Sequence, residues 1–286
     1  MPVVDSALVG IGRVIGKPPG WERLVRALAP PSRFTGGPAH PMSVPEGYVF
    51  PVDPGTLIGW HIHFFGNYEP EVRAQIRRLL APGDTALDVG ANVGWHALLM
   101  ARLVGPQGRV YAFEPSASTR ARLQAAIDAN HLTQIAADPR AVSDRVGAAE
   151  FRAPQAGEVW DGTGSLTATP AEGSRRVECV TLDAFVAERG LDRLALVKVD
   201  VEGWEQSVLR GARRTLDTLG PSVIFEYDPA YIARCNGSGE ALSAMLAESG
   251  YVLLRLDEKR APRAVARLDE HGGNFLAVPG RRMASA

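Results

Sequence analysis

Thr85–Pro115, TALDVGANVGWHALLMARLVGPQGRVYAFEP, decides the fold of this chain. Thr85–Val89 is a short apolar run that carries Asp88 near its end. Gly90-Ala91-Asn92-Val93-Gly94 is a turn of small residues, and Trp95–Val104 repeats apolar residues at helical spacing until Gly105-Pro106 stops it. Arg109–Phe113 is a second strand, closed by Glu114-Pro115. Strand, glycine turn, helix, strand is a βαβ unit, with an acid at the end of each strand.

Such a unit suits a nucleoside-bearing ligand, because glycines admit it and the acid after the next strand takes ribose hydroxyls. The spacing selects the ligand. A dinucleotide fingerprint is G-x-G-x-x-G, whereas this chain offers Gly90 and Gly94 behind an acidic Asp88. A pyrophosphate is repelled by that acid, and the amino group of S-adenosylmethionine is attracted by it.

Further segments extend the pattern: Gly66-Asn67-Tyr68-Glu69-Pro70-Glu71, Val180-Thr181-Leu182-Asp183, Val197-Lys198-Val199-Asp200-Val201-Glu202-Gly203-Trp204-Glu205 and Val208-Leu209-Arg210-Gly211-Ala212. With Asp88–Gly94 and Val110–Pro115, they resemble the FkbM family of S-adenosylmethionine-dependent methyltransferases. The likeness runs from about Phe65 to Asp228. It implies a class I methyltransferase fold: α/β, Rossmann-like and doubly wound, with a mainly parallel seven-stranded sheet and an antiparallel edge.

The chain has 286 residues, 45% of them hydrophobic, and a formal charge of −1. That length fits one large α/β domain with an appended segment. The even charge balance argues against a nucleic-acid binder. Cys179 and Cys235 are the only cysteines, without metal-ligand spacing. No apolar run is long enough to span a membrane, and Val3–Ile15 lacks a charged leader, so a reducing cytoplasm is the expected location.

Residues 1–64 stand outside the nucleotide-binding pattern, and residues 65–286 form the methyltransferase domain. In the extension, Val4, Leu8, Ile11 and Ile15 share one helical face, and Leu24, Val25 and Leu28 form a second short stripe. The extension reads as helices packed on the body, as a substrate lid, or as a contact in a homodimer. Pro30–Pro45 reads as a loop, and Tyr48–Val52 and Leu57–Phe65 as a hairpin that sets His61 and His63 on one strand face.

Beyond Glu69 the expected order is helix Glu69–Leu80, the βαβ unit, helix Ser118–Asn130 and strand Ala136–Val142. Added strands Gly147–Arg152 and Arg175–Val180 flank a loop, Ala153–Gly173, that carries Trp160, Asp161 and Ser165. Then come helix Leu182–Arg189, strand Leu194–Val199, helix Trp204–Leu219, strand Val223–Phe225, helix Gly239–Ser249, and a final pair Tyr251–Leu256 and Asn274–Val278 around the polar segment Asp257–Gly273.

Ligands in open α/β sheets bind past the carboxyl ends of the strands, and Asp88, Glu114, Asp200 and Glu226 all fall there. The candidate cofactor-binding residues are Tyr68, Glu69, Asp88, Gly90, Asn92, Gly94, Glu114, Pro115, Ser143 and Asp200. Glu114 takes the ribose, Asn92 bonds the methionine carboxylate or shapes the turn, and Ser143 with Asp144 lines the adenine. Tyr68 and Glu69 close over the cofactor, or Glu69 is simply a helix-start acid. Asp200 is the first candidate base, with Glu202 following in the loop as a further catalytic candidate, and His96, just after the glycine turn, is the second candidate base. Lys198 stands two residues before Asp200, on the same strand face, and holds it or Glu226 ionised, or forms a structural ion pair. Asp200 and Glu226, with Asp228 nearby, are alternatively ligands for one magnesium ion.

The function expected is O-methyl transfer to a hydroxyl of a sugar, glycolipid or polyketide-type natural product, a substrate class that comes from the resemblance. A nicotinamide-dependent oxidoreductase and a non-catalytic cofactor-binding protein are the competing readings. The missing third glycine and the strand-end acids count against them in turn.

Overall fold

The computed structural model describes residues 8–12, 20–153, 164–167 and 173–283. These fall into two compact units, one before Glu71 and one from Glu71 onward.

The first unit contains helix α1 (Trp21–Leu28), strands β1 (His40–Ser43) and β2 (Val49–Val52), and helix α2 (Leu57–Phe65). Val25, Ala29, Trp60 and Phe64 form its apolar centre, and the Trp60 indole donates to the Ala29 carbonyl at 2.7 Å. Leu24 and Leu28 are exposed, so of that stripe only Val25 is buried. Val4 and Ile15 lie outside the described residues.

Two sequence expectations fail here. The hairpin joins β1 to β2, so the segment read as a loop supplies a strand, and Leu57–Phe65 is a helix. The run is apolar all round because Trp60, Ile62 and Phe64 are all buried, so no polar face marks the helical period. The helix signals were its ends: the Thr56 hydroxyl accepts from the Gly59 amide, and Gly66 closes the helix in the left-handed conformation. His61 and His63 therefore point to different sides. His61 Nε2 lies 3.0 Å from Glu22 Oε1, and His63 Nδ1 lies 3.2 Å from His40 Nε2.

The second unit begins with α3 (Pro70–Leu79), β3 (Thr85–Val89), α4 (Trp95–Val104), β4 (Arg109–Phe113), α5 (Ala117–Ala129) and β5 (Ile135–Asp138). Next come β6 (Ala141–Val142), β7 (Gly147–Arg152), β8 (Ser165–Thr167), β9 (Ser174–Val180) and α6 (Leu182–Glu188). β10 (Leu196–Val199), α7 (Glu205–Arg210), α8 (Arg213–Thr218), β11 (Ser222–Tyr227), α9 (Pro229–Arg234) and α10 (Gly239–Glu248) follow. β12 (Tyr251–Arg255), β13 (Arg263–Val265), β14 (Gly273–Pro279) and α11 (Gly280–Met283) complete it.

The main sheet has the order β13-β12-β14-β11-β10-β3-β4-β5. Strands β5, β4, β3, β10 and β11 are mutually parallel, and β14 runs antiparallel between β11 and β12. This is the doubly wound class I arrangement with its antiparallel edge, plus one strand more than expected. β13 forms inside the segment read as polar loop, where Arg263–Val265 pairs with Leu253–Arg255.

Three other boundaries differ. The third strand breaks in two, because Asp138 accepts from the Arg140 backbone amide and guanidinium and turns the chain at Pro139. Its second half, β6, joins a separate four-stranded sheet in the order β6-β9-β7-β8, and β8 lies inside the segment expected to be loop. Trp160 and Asp161 lie outside the described residues. The helix expected over Trp204–Leu219 divides into α7 and α8 at Gly211, where a Cβ would collide with the Ser143 carbonyl.

Asp183, on α6, caps α8 from outside. Its Oδ1 accepts from the Thr215 amide and hydroxyl, both at 2.7 Å, and its Oδ2 from the Arg214 amide at 3.0 Å. Asp183→Ala leaves both first-turn amides without this partner. It is expected to lower stability by about 1–3 kcal/mol in urea denaturation without changing the slope. An unchanged midpoint refutes the cap.

Candidate functional site

The parallel register sets the site. Lys198 on β10 pairs with Asp88 on β3, which pairs with Ala112 on β4. One residue after β4 stands Glu114, and one residue after β10 stands Asp200. The carboxyl ends of the central strands thus bring together Glu114, Asp200 and Glu226, as the sequence predicts, with Asp88 one step deeper.

The glycine turn has the shape a close ligand needs. Gly90, Asn92 and Gly94 have φ of 81°, 49° and 93°. A Cβ at Gly90 would collide with the Asp200 carbonyl, so glycine there lets the β3 turn close onto the β10 end. Asn92, a residue that tolerates this conformation, bonds the Val93 amide through its own side chain at 2.7 Å.

Glu114 is buried and fixed. Its Oε1 accepts from the Ser116 amide at 2.7 Å and its Oε2 from the Asn92 amide at 3.1 Å. Burial pushes its carboxyl up to about 7, against the pull of those amides and of Arg120. Each oxygen keeps a lone pair, so the group suits a vicinal diol. Next to it, the Pro115 carbonyl accepts from Arg120 at 3.2 Å and from Arg175 at 3.4 Å.

Lys198 is buried between two acids, with Nζ 3.0 Å from Asp200 Oδ2 and 3.9 Å from Asp88 Oδ1. Asp88 is itself only 1% exposed, so it lies beneath the site as a counter-charge rather than on its surface. Burial opposes ionisation of Asp200, but the charge and hydrogen bond of Lys198, with a hydrogen bond from Glu226, hold it below the ordinary aspartate value. His96 is buried on α4. Burial and the charges of Lys198 and Arg73 hold its pKa well below the usual range, so it is neutral.

Glu202 differs from all of these. It is half-buried, and its backbone is left-handed at φ 55°. Burial, then the charges of Asp200, Glu205 and Asp228, push its carboxyl up to about 8. The loop that carries it is tied down: Ser165 donates to the Glu202 carbonyl at 3.3 Å, and the Trp204 indole donates to the Leu166 carbonyl at 2.7 Å.

The structure does not support the magnesium site. Among the described residues no group of three or more His, Cys, Asp or Glu is placed to hold a metal ion. Asp200 is already engaged by Lys198, and the Asp228 carboxylate caps α9 by accepting from the Ala230 and Tyr231 amides. Ser143 is also less open than expected: its amide donates to the Val180 carbonyl at 3.0 Å and its hydroxyl points to Asp144 at 3.4 Å. Tyr68 and Glu69 belong to the first unit. Tyr68 lies 5.7 Å from the His61 ring, and Glu69 has φ 49°.

Sequence reading missed two residues. Glu205 is buried, with Oε1 accepting from the Val201 and Gly203 amides at 3.0 and 3.2 Å, and burial pushes it up to about 7. Arg73 is buried with its guanidinium 4.1 Å from the Trp95 ring centre. A buried charged residue in an otherwise periodic helix leaves no signal in the sequence. Glu205 did leave one, two residues after a glycine in the matched motif.

The raised carboxyls predict a pH effect. In the folded chain Glu114, Glu202 and Glu205 keep protons that the unfolded chain releases near 4.5. The folded state then binds more protons, and stability falls as pH rises toward 8. His96 acts oppositely, but only below its ordinary value of 6.5. From about pH 6.5 to 8 the melting temperature is expected to fall, and Glu202→Gln to flatten the upper part of that slope. A melting temperature that rises across this interval refutes the assignment.

A family model described as the methyltransferase FkbM domain matches residues 88–253. The 2-O-methyltransferase NoeI of Sinorhizobium fredii is 30% identical over 164 residues, which are 51% of this chain and 65% of that protein. The 31-O-demethyl-FK506 methyltransferase FkbM of Streptomyces tacrolimicus is 31% identical over 159 residues, 46% of this chain and 60% of that one. The chain thus spans less than two thirds of the length of either relative. A crystal structure of a methyltransferase FkbM from Methylobacillus flagellatus is 15% identical, with 76% of this chain and 52% of that chain covered at a TM-score of 0.43.

Proposed function

A chain whose residues 88–253 match that domain belongs to the FkbM methyltransferase family, and from this premise we propose that it transfers a methyl group from S-adenosylmethionine to a hydroxyl oxygen. The acceptor we propose is a sugar, glycolipid or polyketide-type natural product. The names of the two relatives, a 2-O-methyltransferase and a 31-O-demethyl-FK506 methyltransferase, support transfer to oxygen.

The observation that carries this reading is the fixed carboxyl of Glu114 beside the left-handed turn Gly90–Gly94. The donor set fits the adenosyl group: a carboxyl held by two amides for the ribose diol, and a turn that opens and closes on glycines. S-adenosylmethionine, when bound, supplies an activated methyl on a cationic sulfur. The rest is positioning. Asp200 keeps its negative charge under the pull of Lys198 and favours the sulfonium or amino group electrostatically. His96, on α4 just after the turn, stays neutral because it is buried, with Lys198 and Arg73 adding to the effect. We propose residues 1–64 as an N-terminal extension and residues 65–286 as the methyltransferase domain.

Calorimetry with S-adenosylmethionine and with NAD tests the reading, the first expected to bind and the second not. Glu114→Ala is expected to weaken S-adenosylmethionine by about 1–3 kcal/mol, as for loss of a charge-assisted hydrogen-bond acceptor. Tight NAD binding without S-adenosylmethionine binding overturns the reading. An unchanged dissociation constant in Glu114→Ala removes Glu114 from the ribose site.

A further inference from the structure

We propose that the Glu202 carboxyl is the group that takes the proton from the acceptor hydroxyl. The inference rests on the methyl-transfer reading above. Three acids, Asp200, Glu202 and Glu205, share the loop after β10, and the structure gives them different work. Asp200 is tied to Lys198 at 3.0 Å. Glu205 is buried and accepts two backbone amides of its own loop. Glu202 is partly exposed, as Asp200 is, but its carboxyl, alone of the three, accepts no hydrogen bond from the described residues.

Its placement is deliberate in physical terms. The left-handed backbone at φ 55° is costly for a glutamate and persists because its surroundings hold it. Ser165 on β8 binds its carbonyl, Trp204 binds Leu166 on the same strand, and the Tyr231 carbonyl packs so close to Gly203 that a Cβ there would collide at 2.5 Å. The charged and titratable groups around it are Asp200 and Glu205 in its loop, Lys198 on β10, Asp228 at the start of α9, and Tyr231 on α9. Glu202 is the largest influence on the Tyr231 phenol, which it raises. Three of the five groups are carboxylic acids, so a proton is welcome at this spot, and the raised carboxyl lies in the range where a base works at neutral pH.

The step balances without another reactant. The hydroxyl oxygen attacks the methyl carbon as its proton passes to the Glu202 carboxylate. The new C–O bond forms while the methyl C–S bond breaks, and that electron pair stays on sulfur as a neutral thioether. The proton then leaves Glu202 for solvent.

A carboxylate beside the reacting methyl must distinguish cationic S-adenosylmethionine from neutral S-adenosylhomocysteine. Calorimetry at about pH 9, above the Glu202 value, reads this without an acceptor. Glu202→Gln is expected to weaken S-adenosylmethionine about tenfold and S-adenosylhomocysteine less than about twofold, and Glu202→Asp to restore most of the difference. Lowering the pH to about 6.5 should shrink the wild-type preference for the cation and leave that of Glu202→Gln unchanged, and the wild-type comparison needs no substitution. If the wild-type preference is the same at both pH values, or Glu202→Gln binds both ligands as the wild type does or weakens both alike, Glu202 does not face the methyl and the inference falls. A wild-type chain that binds neither ligand removes the methyl-transfer reading instead.

Discussion

One buried ammonium group governs the charge balance of the strand ends. Lys198 sits within the sheet, 5% exposed, with Asp200 on one side and Asp88 on the other. An unpaired lysine at that depth would lose its proton or unfold the strand, and two unpaired aspartates would be worse. Asp200 is held below the ordinary aspartate value while Glu114, Glu202 and Glu205 are pushed toward the neutral form. Acids a few residues apart thus hold different protonation states, which acid–base work requires.

The central βαβ unit and the sheet class were legible because parallel strands buried on both faces read as short apolar runs, and glycine with acid marks their ends. The places of Glu114, Asp200 and Glu226 at the ends of β4, β10 and β11 were legible from position alone. The hydrogen bonds that give each acid its character were not legible, since they come from amides of Asn92, Ser116, Val201 and Gly203, and any sequence supplies amides. Position also could not separate Asp200 from Glu202: Asp200 is ion-paired with Lys198, whereas burial and neighbouring acids push the Glu202 carboxyl up.

The misread elements share one cause. Leu57–Phe65 is largely buried, β6 is two residues long, and β13 is three residues long and opens on an arginine. Each is specified by what it packs or pairs with rather than by its own pattern. The extra strand β13 and the division between α7 and α8 follow from contacts distant in sequence: Leu253–Arg255 for the strand, and Ser143 and Asp183 for the helix break.

The hold of β8 on the loop around Glu202 has a wider consequence. Ser165 and Leu166 come from an excursion between β7 and β9, a part of the chain that belongs to neither the main sheet nor the glycine turn. An excursion can change in length and composition while the sheet keeps its register and the turn keeps its glycines. Here it is fastened at two points to the loop after β10, through the Glu202 carbonyl and the Trp204 indole. Variation in that excursion is therefore a route by which descendants of one scaffold can retune reactivity and acceptor choice, with the adenosyl-binding half left untouched.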